Sequence, residues 1–245
     1  LSPLVSGPTQ LQIPTRGAIS NLQLRPLRAA DEPLGSWQAQ LHVAAVGLNF
    51  RDVLNVLGEY PGDPGPPGLD CAGVVADVHL HATHLAQSDR VFGFAFGSLA
   101  SAARTDARLL SRTPGCISAE HAASLPITWS TVHVAFARAC LRGGQSTILH
   151  TAAGGVGLVS LEYARLCAAS VHATAGGRTK HAVLRRLQQR QLFSSRSGAA
   201  FALGASQAMR AGRCHLALNS LSADLTAVSF ALLGEECSFM EIGKR

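Results

Sequence analysis

The sequence predicts an α/β protein of two domains, a β-rich lobe followed by a doubly wound parallel sheet. Three observations predict it. Up to about residue 125 apolar residues come in short alternating runs separated by turn residues. From Ser146 onward the pattern becomes strand, helix, strand, which implies parallel strands joined by crossover helices. At the start of that second region a run of small residues stands between a strand and a helix, as a phosphate-cradling turn requires.

In the first region the alternation predicts strands over 10–13, 38–46, 73–80 and 90–96. Residues 60–68 read Tyr60-Pro61-Gly62-Asp63-Pro64-Gly65-Pro66-Pro67-Gly68, which excludes helix and central strand and predicts a loop. In the second region 146–151 is an apolar strand and 155–168 a helix with apolar Val156, Val159, Leu161, Ala164 and Leu166. Strands follow at 171–175, 216–218 and 237–242, with a helix over 223–233. The third strand and the helix after it, within 187–214, are not placed. The domains are 1–125 and 126–245, with no internal repeat or low-complexity tract.

With 47% hydrophobic and 15% charged residues the chain can bury a core, so it is globular. A net charge of +6 would suit a polyanion, yet Lys and Arg form no block of five or more. A specific anionic group is expected, and no nucleic acid. Six cysteines without a CxxC pair read as reduced thiols, which points to the cytoplasm. No apolar run reaches membrane-spanning length and no signal peptide is recognisable, so no membrane association is expected. The opening Leu1-Ser2-Pro3 suggests a piece of something larger.

The run Ala152-Ala153-Gly154-Gly155-Val156-Gly157 matches G-x-G-x-x-G with alanine at the first glycine. Small residues there let a pyrophosphate approach the backbone and meet the free N–H groups of a helix N-terminus. Ala152, Gly154, Gly155, Val156 and Gly157 are therefore assigned to cofactor binding, against the alternative of a plain turn. An NAD site needs an acid about 20 residues further on to accept the ribose 2′-OH. Here Thr174-Ala175-Gly176-Gly177 is followed by Arg178 and Lys180, cations that suit a 2′-phosphate. Arg196 is a further candidate. The cofactor expected is NADPH.

The segments Gly47-Leu48-Asn49-Phe50-Arg51-Asp52-Val53, Leu57-Gly58-Glu59-Tyr60-Pro61-Gly62, Asp89-Arg90-Val91-Phe92-Gly93, His150 to Gly157, Leu218-Asn219-Ser220-Leu221 and Glu241-Ile242-Gly243-Lys244 run in the order found in one family. With them the chain resembles the medium-chain dehydrogenase/reductase superfamily, and within it the enoyl reductase domains of polyketide and fatty acid synthases. The resemblance implies a GroES-like substrate lobe before a Rossmann domain, and NADPH-dependent reduction of an enoyl thioester on an acyl carrier protein. The other domains of the same synthase would be its partners.

It implies Tyr60 and Lys244 as proton donors, and Asn49 and Asn219 as cofactor contacts. Tyr60 either reaches a ligand or packs its loop; Lys244 is either a donor or a surface lysine. In similar enzymes the lysine works with an aspartate some 25 residues on, whereas this chain stops at Arg245. A C-terminally truncated domain, lacking the last strand and the return to the first lobe, is therefore expected. The ligands of zinc-dependent relatives are replaced by Gly47-Leu48-Asn49-Phe50 and Gly68-Leu69-Asp70-Cys71, so no metal is expected. His79, His81 and His84 read as solvent-facing, the first two on one strand face. A free-standing quinone or enone reductase, and a non-catalytic remnant of the domain, are the alternatives.

Overall fold

The computed structural model describes residues 7–27, 32–209, 213–221 and 224–243, and divides into two compact units, Leu1–Ile127 and Thr128–Arg245. In the first unit, β1 (Thr9–Gln12) pairs antiparallel with β2 (Gln23–Pro26). A five-stranded antiparallel sheet is built from β3 (Gln38–Gly47), β4 (Asp70–Val78), β5 (Arg90–Phe94), β6 (Ala102–Asp106) and β7 (Leu110–Arg112), in the order β6-β3-β4-β5-β7. The alternating residues Ala39 and Leu41 of β3 enter its core with Cys71, Val75, Val91 and Leu110. Helix α1 (Phe50–Leu57) follows β3, and α2 (Ala119–Ala123) precedes α3 (Pro126–Arg138).

Helix α1 is an addition to the elements the sequence predicts, and its amphipathic faces are inverted. Its polar residues Asp52 and Asn55 are buried while Phe50 and Val53 are exposed, the inverse of the pattern that marks an ordinary surface helix. Strand β4 ends at Val78, short of the expected residue 80. His79 and His81 therefore sit in a turn rather than on one strand face, with Ala82 N–H donating to His79 O at 2.9 Å.

The second unit is a Rossmann-like three-layer sandwich. Its strands are β8 (Ser146–Leu149), β9 (Ser170–Ala175), β10 (Leu192–Ser194), β11 (Cys214–Asn219) and β12 (Leu233–Glu241). All pair in parallel, in the order β10-β9-β8-β11-β12. These are the first five places of the doubly wound order 3-2-1-4-5-6. Helices α4 (Gly155–Leu166), α5 (Arg178–Arg186), α6 (Gly198–Met209) and α7 (Asp224–Leu232) make the crossovers.

Both faces of the sheet are covered, as a parallel sheet requires. Leu149, Leu216 and Leu218 pack with Leu161 and Ala164 of α4 on one side, while Ile148 and Ala217 pack with Phe201 and Leu225 on the other. Strand β12 begins four residues earlier than expected because its register against β11 shifts between Cys214 and Leu216, with Glu236 in a left-handed conformation (φ 57°). The unplaced region 187–214 holds β10 and α6. No helix among the described residues is long and apolar enough to cross a membrane.

Candidate nucleotide-binding and proton-donor sites

In the second unit the chain leaves β8 through His150 and Thr151 and enters α4 at Gly154. Buried residues Gly157, Ser160, Leu161 and Ala164 form the face of α4 against the sheet. Gly157 is required there: a Cβ would stand 2.5 Å from Ala152 Cα and 2.6 Å from Thr151 O. At Gly154 and Gly155 the nearest atoms to a Cβ are Thr151 O at 3.3 Å and Thr128 Cγ2 at 3.5 Å, and both glycines are exposed. No side chain caps this helix and its first turn carries no acid, so its N–H groups suit an anion.

A Gly157→Ala substitution would push α4 away from Ala152. Overpacking of this kind costs ~1–3 kcal/mol of folding stability, and the displaced loop should bind a nicotinamide dinucleotide more weakly, as titration calorimetry would record. Unchanged affinity would show that the loop does not hold the pyrophosphate.

Strand β9 ends at Ala175, and the turn Gly176-Gly177 leads into α5. A cleft of about 210 Å³ beside it is lined by Thr151, Ala153, Ala175, Gly176, Lys180, Ser195 and Arg196. Arg196 is brought in because Ser194 of β10 pairs with Ala175 of β9. It lies so close that a Cβ on Gly176 would meet its Nε at 3.1 Å and Ser195 Oγ at 3.2 Å. Arg178 departs from the expected grouping, since it lines a neighbouring cleft of about 640 Å³ with Gly177, His181 and Arg185. Positions two apart on a helix point about 200° away from each other, so Arg178 and Lys180 do not share a face.

Asn219 is buried, and its side chain shapes the turn after β11. Its Nδ2 donates to Leu221 O at 2.7 Å and Glu241 Oε2 at 2.9 Å, and its Oδ1 accepts from Leu221 N–H at 3.2 Å. Sequence reasoning missed the polar cluster underneath the glycine loop. His150, Thr174 and Ser229 are all buried, and His150 touches both of the others. Burial pushes the His150 imidazole down to about 4, with Glu241 acting weakly in the opposite sense.

In the first unit Asn49 precedes α1, and its N–H donates to Asp52 Oδ2 at 3.0 Å. Helix α1 also organises the Pro/Gly loop. Gly68 N–H donates to Asp52 Oδ1 at 3.0 Å, Asn55 Nδ2 donates to Gly65 O at 3.1 Å, and Arg51 donates to Pro64 O. Tyr60 is half-buried rather than exposed, with the Arg51 guanidinium 6.0 Å from its ring centre. That distance is within reach of a cation–π contact. Asp70 is buried at the start of β4, and burial pushes its carboxyl up to about 6. The Asn49 side chain and the Ile127 N–H, 3.2 Å from Oδ2, act in the opposite sense. Lys244 lies outside the described residues. Among the described residues no three His, Cys, Asp or Glu side chains converge as metal ligands would.

Residues 35–173 match the alcohol dehydrogenase GroES-like domain family. Over 239 residues the chain is 40% identical to erythronolide synthase EryA2 of Saccharopolyspora erythraea, covering 96% of this chain and 7% of that protein. It is 34% identical over 245 residues to the reducing polyketide synthase FUB1 of Gibberella moniliformis, covering 98% of this chain and 10% of that protein. Among solved structures, the CurK enoyl reductase superposes with a TM-score of 0.89 at 31% identity, over 97% of this chain and 74% of that one. Taken with the five-strand order, the glycine loop and the family match, these similarities show that the chain belongs to the medium-chain dehydrogenase/reductase superfamily, with the enoyl reductase domains of polyketide synthases.

Proposed function

We propose that the chain is an NADPH-dependent enoyl reductase domain that reduces the α,β double bond of an enoyl thioester carried by an acyl carrier protein within a polyketide synthase. The observation that carries the cofactor reading is the cleft where Lys180, Ser195 and Arg196 surround the backbone of Gly176, beside the glycine loop and without a carboxylate. Two cations and a hydroxyl suit a 2′-phosphate, whereas an acid there would suit a 2′-hydroxyl. The similarity to polyketide synthases and to CurK enoyl reductase supports the reaction class and the other domains of a synthase as partners.

When bound, NADPH would supply the hydride for the β-carbon of the thioester. The protein's own tasks are to orient the dinucleotide through Ala152 to Gly157, to stabilise charge on the thioester oxygen, and to deliver a proton to the α-carbon. Tyr60 is the proposed donor in the first unit. Its loop is pinned to α1 through Arg51, Asp52 and Asn55, which limits the phenol's positional freedom. Lys244, three positions after the last residue of β12 in the sequence, is proposed as a second donor.

The test is reduction of a crotonyl thioester, attached to pantetheine or to a carrier protein, followed by loss of NADPH absorbance. General-acid assistance is worth ~10²–10⁴-fold, so Tyr60→Phe should lower kcat by at least about a hundredfold while leaving the NADPH Kd unchanged. Wild-type protein that binds NADPH but never turns over the thioester would overturn the assignment of substrate. A Tyr60→Phe variant at full rate would remove Tyr60 from the mechanism.

A further inference from the structure

Thr151, which opens the glycine loop, is a β-branched residue held in a left-handed conformation (φ 50°). That backbone is strained and persists only where neighbours over-determine it. Its hydroxyl is 2.7 Å from Ser220 Oγ, and its N–H donates to Thr174 Oγ1 at 3.3 Å. The Thr174 carbonyl accepts the next N–H of the loop, from Ala152, at 2.9 Å. Thr174 at the end of β9 thus holds two successive amides at the loop entry.

The Thr174 hydroxyl is itself held from behind. It lies 3.1 Å from His150 Nδ1, while His150 Nε2 lies 2.7 Å from Ser229 Oγ in α7. Ser229 in turn donates to Leu225 O at 2.6 Å. The direction of every bond follows. A carbonyl only accepts, so Ser229 gives its single proton to Leu225 O. Ser229 Oγ must then accept from His150, which places the ring hydrogen on Nε2. A neutral imidazole has only one such hydrogen, so Nδ1 is an acceptor and takes the Thr174 proton. The Thr174 oxygen then has lone pairs free to accept from Thr151 N–H. His150, Thr174 and Ser229 are buried, and the Phe201 ring centre lies 5.4 Å from that of the imidazole in an edge-to-face arrangement, so water does not compete for these bonds.

We propose that His150 is a positioning residue: as the neutral Nε2–H tautomer it links Ser229 of α7 to the Thr174 hydroxyl, and so fixes the backbone of Thr151 where the dinucleotide loop begins. The relay rests on hydrogen-bond geometry together with the burial that keeps the imidazole neutral, and its consequence for the cofactor rests on the reading of the loop as the NADPH site. Thr151 also lines the Lys180–Arg196 cleft, and what separates the two roles is that the relay acts on the loop entry, the part common to both nicotinamide dinucleotides.

Two measurements test it. Nitrogen-15 spectra of the histidine rings, with His150 assigned by loss of its signals in His150→Gln, should show a neutral Nε2–H ring that does not titrate between about pH 5.5 and 8. A Thr174→Val substitution removes both the proton given to Nδ1 and the acceptor for Thr151 N–H. It should weaken NADPH and NADH binding alike by about tenfold, the order expected for one or two neutral hydrogen bonds, while Thr174→Ser keeps wild-type affinity. An Nδ1–H tautomer, or a ring that titrates near the ordinary histidine value, would overturn the relay. Unchanged nucleotide affinity in Thr174→Val would overturn its role in positioning. If wild-type protein bound neither nucleotide, the cofactor reading would fail instead, and the tautomer would still decide the relay.

Discussion

Replacing Lys180 and Arg196 together by alanine should raise the Kd for NADPH by about 10²–10³ and leave that for NADH within about twofold. Charge-assisted hydrogen bonds are commonly worth ~1.5–3 kcal/mol each, a tenfold to hundredfold loss apiece. Both side chains are exposed at the rim of the cleft, and groups flanking one phosphate do not add independently, so the combined effect falls below the product of the largest single values. Arg178→Ala is the internal control. It removes a cation two positions from Lys180 that lines the neighbouring cleft, and should change the NADPH Kd less than threefold. Fluorescence titration with both nucleotides reads all three variants. An equal loss for NADPH and NADH would mean that the cations act on the shared pyrophosphate and not on the 2′-phosphate. A dominant effect of Arg178 would place the phosphate on the other side of the Gly176-Gly177 turn.

Acidification from pH 7 to pH 4 should destabilise the second unit through His150 by about 3 kcal/mol and relieve a penalty in the first unit at Asp70 by about 2 kcal/mol. His150 is held down to about 4 against an ordinary value of 6.5, so the unfolded chain binds a proton between those two values while the folded unit refuses it. Stability in that window therefore rises with pH. It is fully present above about 6.5 and lost as pH falls to about 4. At ~1.4 kcal/mol for each tenfold change in proton affinity, this amounts to about 3 kcal/mol. His172, buried on β9 and also pushed down by desolvation, adds to the same trend. Glu241 is the charged group acting on His150, and it tempers the effect by favouring the protonated ring.

Asp70 works in the opposite sense. Its carboxyl is raised from 3.8 to about 6, mainly by burial and slightly by Asp52, so the folded first unit takes up a proton before the unfolded chain does. The penalty for a buried carboxylate is present in full above about pH 6 and is relieved as pH falls towards 3.8, by about 2 kcal/mol at pH 4. Hydrogen exchange, converted to opening free energies for β4 and β9 amides separately, would resolve the two trends. Asp70→Asn should abolish the response in β4 only, and His150→Gln should reduce it in β9 only. Parallel changes in both units would show that neither group governs the pH dependence.

Much of this was legible without coordinates. Hydrophobic period separates the β-rich lobe from the α/β domain, because side chains alternate along a strand and recur every three or four residues on a helix. That parallel strands are joined by crossover helices follows from the alternation, the order 3-2-1-4-5 is what the resemblance implies, and the run Ala152 to Gly157 is readable because close backbone approach admits only small residues. The missing acid after β9 is likewise a local fact.

What only the tertiary structure decided is which side chains meet. No pattern in the sequence says which face of α1 is buried: Asp52 and Asn55 hold the Tyr60 loop while Phe50 and Val53 are exposed. Lys180 joins Arg196 instead of Arg178 because β10 lies beside β9 and because two steps along a helix turn a side chain to the other face. The bonds from His150 to Thr174 and Ser229 join residues 24 and 79 positions apart, and a hydrogen bond depends on distance in space, which no spacing along the chain encodes. Likewise the raised Asp70 carboxyl is set by how completely β4 is covered. A proton's affinity for a side chain is a property of the solvent and charges around it, and these exist only once the chain has folded.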